Sequence, residues 1–324
     1  MKKILVGLGG LLFLAGCDVS SLSNKDMPLE EMKIKVEEFV NANMMKAGTT
    51  AIIKEVVEEA GLYKVELEAV GQDFTTYITK DGVNFFPQGI NLEEFTEQKK
   101  KQEEATALQR AASLIALEKK DKPEVELFVM SHCPYGTQIE KGILSVLDTL
   151  GDKIDFQLKF VDYIMHGETE ANEQLNQYCI QQEQPDKLQE YLGCFLVEGK
   201  GAECLASTNI EIETLETCVA DADDEFGISV SLEDKANWKS GQFPAFNISK
   251  EENKKYGVQG SPALIINGKQ INTQRDSKSL LETICAGFAE VPEECDVELP
   301  SAQPSLGFGF NEGVGGGATQ AQCE

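Results

Sequence analysis

Cys133 and the residues around it form the pattern in this chain that is most able to do chemistry. A mostly apolar run, 125–130, leads into Ser-His-Cys-Pro-Tyr-Gly at 131–136, and an amphipathic stretch at helical spacing follows. Pro134 suits the first helical position, because its missing N–H would have no partner there. Cys133 is then the N-cap residue, where unpaired N–H groups and the helix dipole favour a thiolate. The pattern predicts strand, turn and helix, with a nucleophilic thiol in the turn.

The spacing around Cys133 resembles the Cys-x-x-Cys turn of the thioredoxin superfamily, with Gly136 in place of the second cysteine. The catalytic turn implied by this resemblance comprises Cys133, His132, Pro134, Tyr135 and Gly136. His132 either stabilises the thiolate or points away from it. We expect Cys133 to be unpaired and at least partly accessible; the alternative is a buried structural cysteine.

A second motif lies at 256–269 and reads Tyr-Gly-Val-Gln-Gly-Ser-Pro-Ala-Leu-Ile-Ile-Asn-Gly-Lys. The Ser261–Pro262 bond can be cis, residues 263–266 form an apolar strand, and Asn-Gly predicts a two-residue hairpin turn. The motif resembles the cis-proline loop and hairpin of Dsb-type disulfide oxidoreductases. That resemblance implies that Gly260, Ser261 and Pro262 face the catalytic cysteine and bind an extended substrate peptide.

The N-terminus has the features of a targeting signal. Two lysines precede an apolar run, 4–15, and residues 14–17 read Leu-Ala-Gly-Cys. The segment resembles a bacterial lipoprotein signal and is too short for a normal membrane span. The resemblance implies that residues 1–16 are removed, that Cys17 is lipidated, and that residues 17–28 form a tether. The protein would then lie in the cell envelope, anchored by lipid outside the cytoplasm. An ordinary cleaved signal with a chance cysteine is the alternative.

Residues 29–96 predict a small α+β module with an amphipathic helix followed by strand-like runs at 50–58, 62–70 and 74–79. In layout alone it resembles the N-terminal dimerisation module of periplasmic disulfide isomerases, which implies a role in homodimerisation or in partner binding. Residues 97–122 are expected to be a solvent-exposed helix that connects the two domains. The stretch rich in Glu, Lys, Gln and Ala, on which this prediction depends, runs from residue 93 to residue 120.

Residues 123–295 predict an α/β domain with a thioredoxin fold. Its second strand is expected within 153–163 and its closing helix at 277–288. An all-helical insertion at about 170–225 interrupts the fold, and its cysteines resemble those of lysosomal thiol reductases and of a segment in plant vacuolar sorting receptors. Residues 296–324 are Gly-, Ser-, Pro- and Gln-rich, which predicts a disordered tail carrying Cys323 as a stray thiol.

The number of cysteines, nine, is informative about the cellular compartment in which the protein works. Besides Cys17, Cys133 and Cys323, six remain, and an even set in an exported chain predicts three disulfides. These six are Cys179, Cys194, Cys204, Cys218, Cys285 and Cys295. Six cysteines allow fifteen connectivities; the short separations favour Cys194–Cys204 and Cys285–Cys295. A zinc site needs close Cys-x-x-Cys pairs or histidine ligands, and neither pattern is present, so we expect no metal and no cofactor.

The formal net charge of −26 argues against nucleic-acid binding, which requires a basic surface. The combined features predict an exported, lipid-anchored protein that carries out thiol–disulfide exchange on other exported cysteine-containing proteins. With a single active-site cysteine, it would act in the manner of an isomerase or reductase. The alternative is a binding module that holds peptides in the cis-proline groove without chemistry.

Overall fold

The computed structural model describes residues 26–310, which fall into two compact units that divide between Lys101 and Gln102. The first unit has one helix, α1 (Leu29–Asn43), and the antiparallel strands β1 (Ala51–Glu59), β2 (Leu62–Ala69), β3 (Gln72–Thr79) and β4 (Phe85–Phe86). The strands form a sheet in the order β1-β2-β3-β4. The helix buries Met32, Val36 and Val40 against alternate residues of β2, which is the amphipathic arrangement that the sequence predicts.

A charged helix, α2 (Leu92–Ile115), runs across the division between the units. None of its side chains is buried, in keeping with its Glu- and Lys-rich composition. The helix ends at Ile115, whereas the composition of the sequence predicts an end at Lys120. At the other end of the first unit, the backbone of Met27 bonds to Lys80 and Tyr63, so the last residues of the expected tether are part of this unit.

The second unit is built on a four-stranded sheet. Its strands are β5 (Glu124–Val129), β6 (Asp155–Phe160), β7 (Ala263–Ile266) and β8 (Lys269–Gln270), and a helix, α3 (Pro134–Leu150), connects the first two. The order is β6-β5-β7-β8, with β5 parallel to β6 and antiparallel to β7. The turn between β7 and β8 has positive φ at Asn267 and Gly268, as a two-residue hairpin of the primed type requires.

Six helices lie between β6 and the hairpin, and the first five form the helical insertion. These five are α4 (Glu168–Glu183), α5 (Leu188–Glu198), α6 (Gly201–Ser207), α7 (Ile212–Phe226) and α8 (Ile228–Glu233). Two further helices, α9 (Lys250–Tyr256) and α10 (Ser277–Cys285), flank the hairpin in the chain, and α10 packs on α3. This is the α/β thioredoxin fold with a helical insertion. The second strand and the closing helix are each shorter than the ranges that the sequence predicts, 153–163 and 277–288.

The strand β5 lies at the centre of the sheet and is buried on both faces. Val125, Leu127 and Val129 point into the large core beneath α3, while Phe128 points into a smaller core beside the hairpin. Because successive side chains of a strand point to opposite faces, a strand covered on both sides reads as a continuous apolar run. The end of β5 is therefore held firmly where the catalytic turn begins.

Three disulfides join cysteines of the second unit. Cys179 of α4 bonds to Cys218 of α7, and the two pairs that short separations favour, Cys194–Cys204 and Cys285–Cys295, are also present. Cys133 is the one free cysteine of the described residues. Cys17 and Cys323 lie outside residues 26–310, as do the expected signal peptide, most of the tether and the end of the tail.

Part of the segment expected to be disordered is ordered. Residues 296–310 follow the last disulfide and pack on the second unit, and we name residues 300–310 the C-terminal strap. The prediction of disorder was wrong for this stretch because composition does not register the long-range partners described below. Across residues 26–310, no helix has both the length and the apolar character needed to cross a membrane.

Candidate functional site

Cys133 occupies the N-cap of α3, with extended backbone angles of −69° and 125°. Its carbonyl accepts the N–H of Thr137 at 2.9 Å, and Pro134 takes the first helical position. The strand–turn–helix arrangement expected around this thiol is therefore what the chain forms. Its Sγ lies at the end of a helix where backbone N–H groups lack helical acceptors, which is an environment that favours negative charge.

The loop that contains Ser261 and Pro262 lies directly against Cys133. The Ser261–Pro262 bond is cis, and the Sγ of Cys133 lies 3.7 Å from the carbonyl oxygen of Ser261. The hydroxyl of Ser261 accepts the N–H of Met130 at 2.9 Å, which ties the loop to the end of β5. The two motifs thus come together across 128 residues of sequence. Beside them Gly260 is half-buried and has open space where a Cβ would be.

Cys133 is completely buried, with 0% of its surface exposed. It lies in the smaller core of the unit, among Phe128, Met130, Val161 and Val258. The expectation of a partly accessible thiol was therefore wrong. The N-cap position determines the electrostatic surroundings of the thiol, but the loops around it determine its access to solvent. Exchange with a substrate requires that the cis-proline loop or another covering segment move.

Gly136 is placed where a side chain has no room. A Cβ at this position would lie 2.7 Å from the Ser261 hydroxyl and 2.8 Å from the carbonyl oxygen of Met130. Real Cβ atoms essentially never approach so closely, and one of these two neighbours is backbone. A resolving cysteine at position 136, as in a Cys-x-x-Cys turn, is incompatible with this arrangement.

His132 contacts the insertion and the strap. Its Nδ1 lies 3.0 Å from the hydroxyl of Ser131, and its ring meets Phe195 and Phe308 edge to face at centroid distances of 5.7 and 5.6 Å. Burial lowers the pKa of His132, and the opposing charge of Glu170 only partly offsets this. A neutral imidazole among aromatic rings fits a packing role; its hydrogen bond goes to Ser131, not to Cys133.

Tyr135 is the exposed member of the turn, with 38% of its surface accessible. The guanidinium of Arg275 stacks over its ring at 4.9 Å and also donates to Gln138 at 3.2 Å. A ring and a cation next to the buried thiol offer a surface on which a peptide can lie. Arg275 has no place in either sequence motif, and only the approach of the loop before α10 brings it here.

A buried cluster of polar side chains lies between α3, α4 and α5, and the sequence does not reveal it. Glu140 is fully buried with both carboxylate oxygens unpartnered. Glu173 accepts hydrogen bonds from Tyr191 at 3.0 Å and from Gln177 at 2.8 Å. Gln174 accepts the N–H of Ser131 at 3.2 Å, which connects the cluster to the catalytic turn.

The two carboxyls of this cluster favour protonation. Burial raises the pKa of Glu173 to about 7, while hydrogen bonds from Gln177 and Tyr191 act the other way. Burial, and then the negative charge of Glu173, raise the pKa of Glu140 well above its ordinary value. Two carboxylates that share a dry interior cannot both ionise cheaply, so at least one carries a proton near neutral pH.

The C-terminal strap crosses the first turns of α3. The N–H of Gly307 donates to the carbonyl of Pro134 at 3.2 Å, and Gln138 donates to the carbonyl of Pro304 at 2.7 Å. Lys141 points its ammonium at oxygens of Ser305, Gly307 and Gly309, all at 2.6–3.0 Å. Each strap contact on α3 falls within eight residues of Cys133.

Phe308 fixes the strap to the insertion as well. Its ring packs edge to face on Phe195 at 5.3 Å, and the N–H of Gly309 donates to the carbonyl of Leu196 at 2.8 Å. Gly199, with φ of +72°, ends α5 beneath this ring; a Cβ there would lie 2.7 Å from the ring of Phe308. Glycine at position 199 thus permits both the helix end and the close approach of the strap.

No protein-family model matches the chain, and no curated protein sequence matches it. Solved structures do resemble it. BdbD from Bacillus subtilis is 21% identical over 52% of this chain and 89% of its own, with a TM-score of 0.35. Oxidised DsbA from Mycobacterium tuberculosis is 12% identical over 56% and 92%, with a TM-score of 0.39. MdbA, a thiol-disulfide oxidoreductase from Actinomyces oris, is 15% identical over 52% and 83%, with a TM-score of 0.34. With sequence identities of 12–21% and TM-scores of 0.34–0.39, these three structures do not assign a function to this chain.

Proposed function

We propose that this chain is an exported, lipid-anchored protein that carries out thiol–disulfide exchange, with Cys133 as its nucleophile. The observation that supports this most directly is the meeting of two distant motifs. An unpaired thiol at the N-cap of α3 lies 3.7 Å from the carbonyl of Ser261, beside Pro262. A helix N-terminus favours the thiolate, and the thiolate is the nucleophile in disulfide exchange.

In the proposed reaction, the thiolate of Cys133 attacks one sulfur of a substrate disulfide. A bond forms between Cys133 and that sulfur, the substrate disulfide breaks, and the second substrate sulfur leaves as a thiolate that takes a proton from water. The product is a mixed disulfide. If a different thiolate of the substrate attacks the substrate sulfur of the mixed disulfide, a new substrate disulfide forms, Cys133 leaves as a thiolate, and the substrate is isomerised. If an external thiolate attacks the sulfur of Cys133 instead, a disulfide forms between Cys133 and the external thiol, the substrate sulfur leaves as a thiolate, and the substrate is reduced.

The residues around Cys133 have distinct roles in this proposal. Ser261 and Gly260 offer backbone groups to an extended peptide, Pro262 shapes that loop, and Tyr135 lies at the exposed rim. Pro134 starts the helix, and Gly136 keeps the space that Ser261 occupies. His132 acts through packing, because its ring lies between Phe195 and Phe308.

One observation favours a second function, that of a peptide-binding module without chemistry. Cys133 is fully buried, and position 136 has no room for a resolving cysteine. A thiol that remained covered would have the structural role of a small apolar side chain. The two functions differ in what happens to Cys133 when a disulfide is presented.

The deciding experiment presents a peptide that contains one disulfide, stops the reaction with acid, and separates mixed disulfides on non-reducing gels. The protein and a Cys133→Ser variant are compared, with Ser131→Ala as a matched control at a neighbouring buried position. We expect covalent capture by the protein and by the Ser131→Ala variant, and none by Cys133→Ser. Binding of the peptide to all three without covalent capture would establish the binding module instead.

The proposal places the protein outside the cytoplasm, held to a membrane by lipid on Cys17, with exported cysteine-containing proteins as substrates. The three disulfides support this placement, because such bonds persist in oxidising compartments. Homodimerisation through the first unit is part of the proposal and rests on its layout alone. Sedimentation of the full chain over a range of concentrations tests it, and a monomer throughout would remove it.

A further inference from the structure

Arg275 is one of two arginines in a chain whose 29 basic residues are otherwise lysines, and it lies beside the catalytic turn. Its guanidinium carbon is 4.9 Å from the centroid of the Tyr135 ring, and its Nη1 donates to Oε1 of Gln138 at 3.2 Å. Tyr135 and Gln138 are three residues apart on α3, so their side chains lie on the same face of the helix. Two separate contacts therefore hold one cation over the first turns of α3.

The loop before α10 approaches α3 closely because the helix has a glycine at the point of contact. A Cβ at Gly142 would overlap the carbonyl oxygen of Arg275. One turn earlier on α3, the amide of Gln138 accepts from Arg275 and donates to the carbonyl of Pro304 at 2.7 Å. Both the backbone and the side chain of Arg275 are thus positioned by α3. A cation that is already held in place loses little freedom when it binds a ligand.

Most of the hydrogen-bond donors of Arg275 have no partner within the described part of the chain. A guanidinium has five N–H groups, and the one hydrogen bond that Arg275 makes from them within residues 26–310 goes to Gln138. No carboxylate of these residues forms an ion pair with it. Asp276, the next residue, is directed to the start of α10, where its Oδ1 accepts the N–H of Ser279 at 2.9 Å. Stacking on Tyr135 uses the face of the half-buried guanidinium and leaves its edge, where the N–H groups point, for an acceptor.

The charge around Arg275 differs from that of the chain as a whole, whose formal net charge is −26. The first turn of α3 contains no acidic residue, and the N-terminus of a helix carries partial positive charge. The ammonium of Lys141 adds to this charge, but oxygens of the strap surround it. Glu140 is fully buried, and burial raises its pKa well above the ordinary value, which favours its neutral form. Arg275 is therefore the cation on these turns whose donors are open to a ligand.

We propose that Arg275, stacked on Tyr135, is the specificity-determining residue of the exchange site and binds an aspartate or glutamate side chain near the reacting disulfide of the substrate. The proposal rests on the exchange function proposed above and names its substrate class, acidic peptide segments that contain cysteine. A guanidinium can bind a carboxylate through two parallel hydrogen bonds, which a lysine ammonium cannot reproduce.

The position of Tyr135 indicates where the acidic residue lies in the substrate. The Cα of Tyr135 is at most about 7.6 Å from that of Cys133, because consecutive Cα atoms are about 3.8 Å apart. An extended peptide advances about 3.3 Å per residue, so residues two to four positions from a cysteine lie about 7–13 Å from it. Once the segments that cover Cys133 have moved aside, a substrate cysteine bonded to Cys133 brings such residues within reach of the guanidinium.

The test uses short peptides with one cysteine, blocked at both ends and joined through a disulfide to 2-mercaptoethanol. One set carries a glutamate two, three or four residues from the cysteine on either side, and the matched set carries glutamine at the same places. The glutamate is then the only carboxylate of the peptide. Mass spectrometry of acid-quenched, non-reduced digests of the full chain follows the peptide adduct on Cys133. The rate of adduct formation at increasing peptide concentration gives a half-saturation concentration for each peptide.

For at least one placement, we expect a half-saturation concentration about three- to tenfold lower for the glutamate peptide than for its glutamine match, as a partly exposed charged pair provides. In Arg275→Gln this ratio should fall to about one. In Arg275→Lys it should be about two, because the charge remains and the paired hydrogen bonds are lost. Raising the salt concentration from about 0.01 M to about 1 M should lower the ratio in the unchanged protein, because the charges are then screened.

The matched control is Arg110→Gln, which removes the other arginine and the same charge. Arg110 donates to the hydroxyl of Thr283 on α10 at 3.1 Å and contacts no residue of the catalytic turn. We expect Arg110→Gln to keep the full ratio between the two sets of peptides.

The possible failures are distinguishable. Adducts on Cys133 with equal half-saturation concentrations for both sets of peptides would overturn the role of Arg275 and leave the exchange function intact. A ratio that survives in Arg275→Gln, or that falls equally in Arg110→Gln, would also overturn that role. The absence of any adduct on Cys133 would overturn the exchange function. Non-covalent binding of the same peptides to Cys133→Ser, measured by fluorescence anisotropy with and without Arg275→Gln, would then decide the role of Arg275 by the same ratio.

Discussion

Gly136 shows how one absent side chain constrains the catalytic turn. The Ser261 hydroxyl and the Met130 carbonyl occupy the space where a Cβ would lie, so the turn and the cis-proline loop approach more closely than any other residue allows. From the sequence alone, Gly136→Cys would restore the second cysteine of a Cys-x-x-Cys turn. The structure makes that substitution an overpacking change instead.

Gly136→Ala is accordingly expected to destabilise the protein. Overpacking costs about 1–3 kcal/mol, although alanine gains up to about 1 kcal/mol over glycine within a helix. The control is Gly260→Ala in the facing loop, where a Cβ meets nothing within 4 Å and the change should be within about 0.5 kcal/mol. Denaturant midpoints measure both. Equal stability of the two variants would mean that the loop yields and that position 136 can accept a side chain.

At the scale of elements, the insertion does more than cover the sheet. Tyr191 of α5 donates a hydrogen bond to Glu173 of α4, and the charge of Glu173 raises the pKa of Glu140 of α3. Phe195 of α5 contacts the rings of both His132 and Phe308. The catalytic turn, the insertion and the strap thus share one set of contacts. Changes in the insertion are expected to reach the turn through Gln174, which accepts the N–H of Ser131.

The raised pKa of Glu173, about 7, makes stability depend on pH. Between pH 4.5 and 7 the unfolded chain loses this proton while the folded chain keeps it, so stability falls as pH rises, by about 3 kcal/mol in total. Glu173→Gln should remove the part of this fall that is due to Glu173 and leave the part due to Glu140, whose pKa is also raised by burial. Denaturant unfolding at pH 4.5, 6 and 8 measures the free energy of unfolding of each variant. Glu216→Gln, on the exposed side of α7, is the control, and Glu140 is unchanged in every protein. A parallel pH dependence in Glu173→Gln and the unchanged protein would contradict the assignment.

The disulfide between α4 and α7 should contribute strongly to the insertion. It closes a loop of 39 residues, for which the chain-entropy relation gives about 4 kcal/mol. We expect reductant, or Cys179→Ser with Cys218→Ser, to increase proteolysis between residues 172 and 224 while residues 29–95, which contain no cysteine, stay protected. Equal protection of both regions before and after reduction would argue against a stabilising role for the bridges.

At the scale of the whole molecule, the chain combines an acidic body with a motif for lipid attachment. A net charge of −26 gives the protein no attraction to anionic surfaces such as those of lipid headgroups. Attachment to a membrane would therefore depend on the acyl groups expected on Cys17, since charge opposes it.

Cys17→Ser should consequently release the protein from the membrane fraction. Loss of the acyl chains removes the apolar anchor, and the acidic body offers no substitute. Fractionation of cells by centrifugation measures the distribution, with Ser21→Ala, a neighbouring change that leaves Cys17 intact, as the control. A Cys17→Ser protein that remained with the membrane and kept its first sixteen residues would contradict the lipoprotein assignment.

The sequence by itself determined the local features of this protein. The apolar run before Cys133, the proline after it and the Asn-Gly turn after Pro262 each act over a few residues, through strand burial, helix initiation and turn geometry. For that reason the strand, the turn, the helix and the hairpin could be placed from residue types alone. The helical insertion and the two short disulfides were also within reach, because both depend on near neighbours in sequence.

Tertiary structure alone decided the burial of Cys133, the blocked position at Gly136, the shared interior of Glu140 and Glu173, and the order of the strap. Each depends on groups that are far apart in the chain and close in space. The strap shows the reason most clearly, because its composition predicts disorder. Lys141 supplies hydrogen bonds and Phe195 an aromatic contact, and both residues lie more than one hundred positions away in the sequence. These contacts offset the entropy lost when the strap is ordered. Local composition contains no record of such partners.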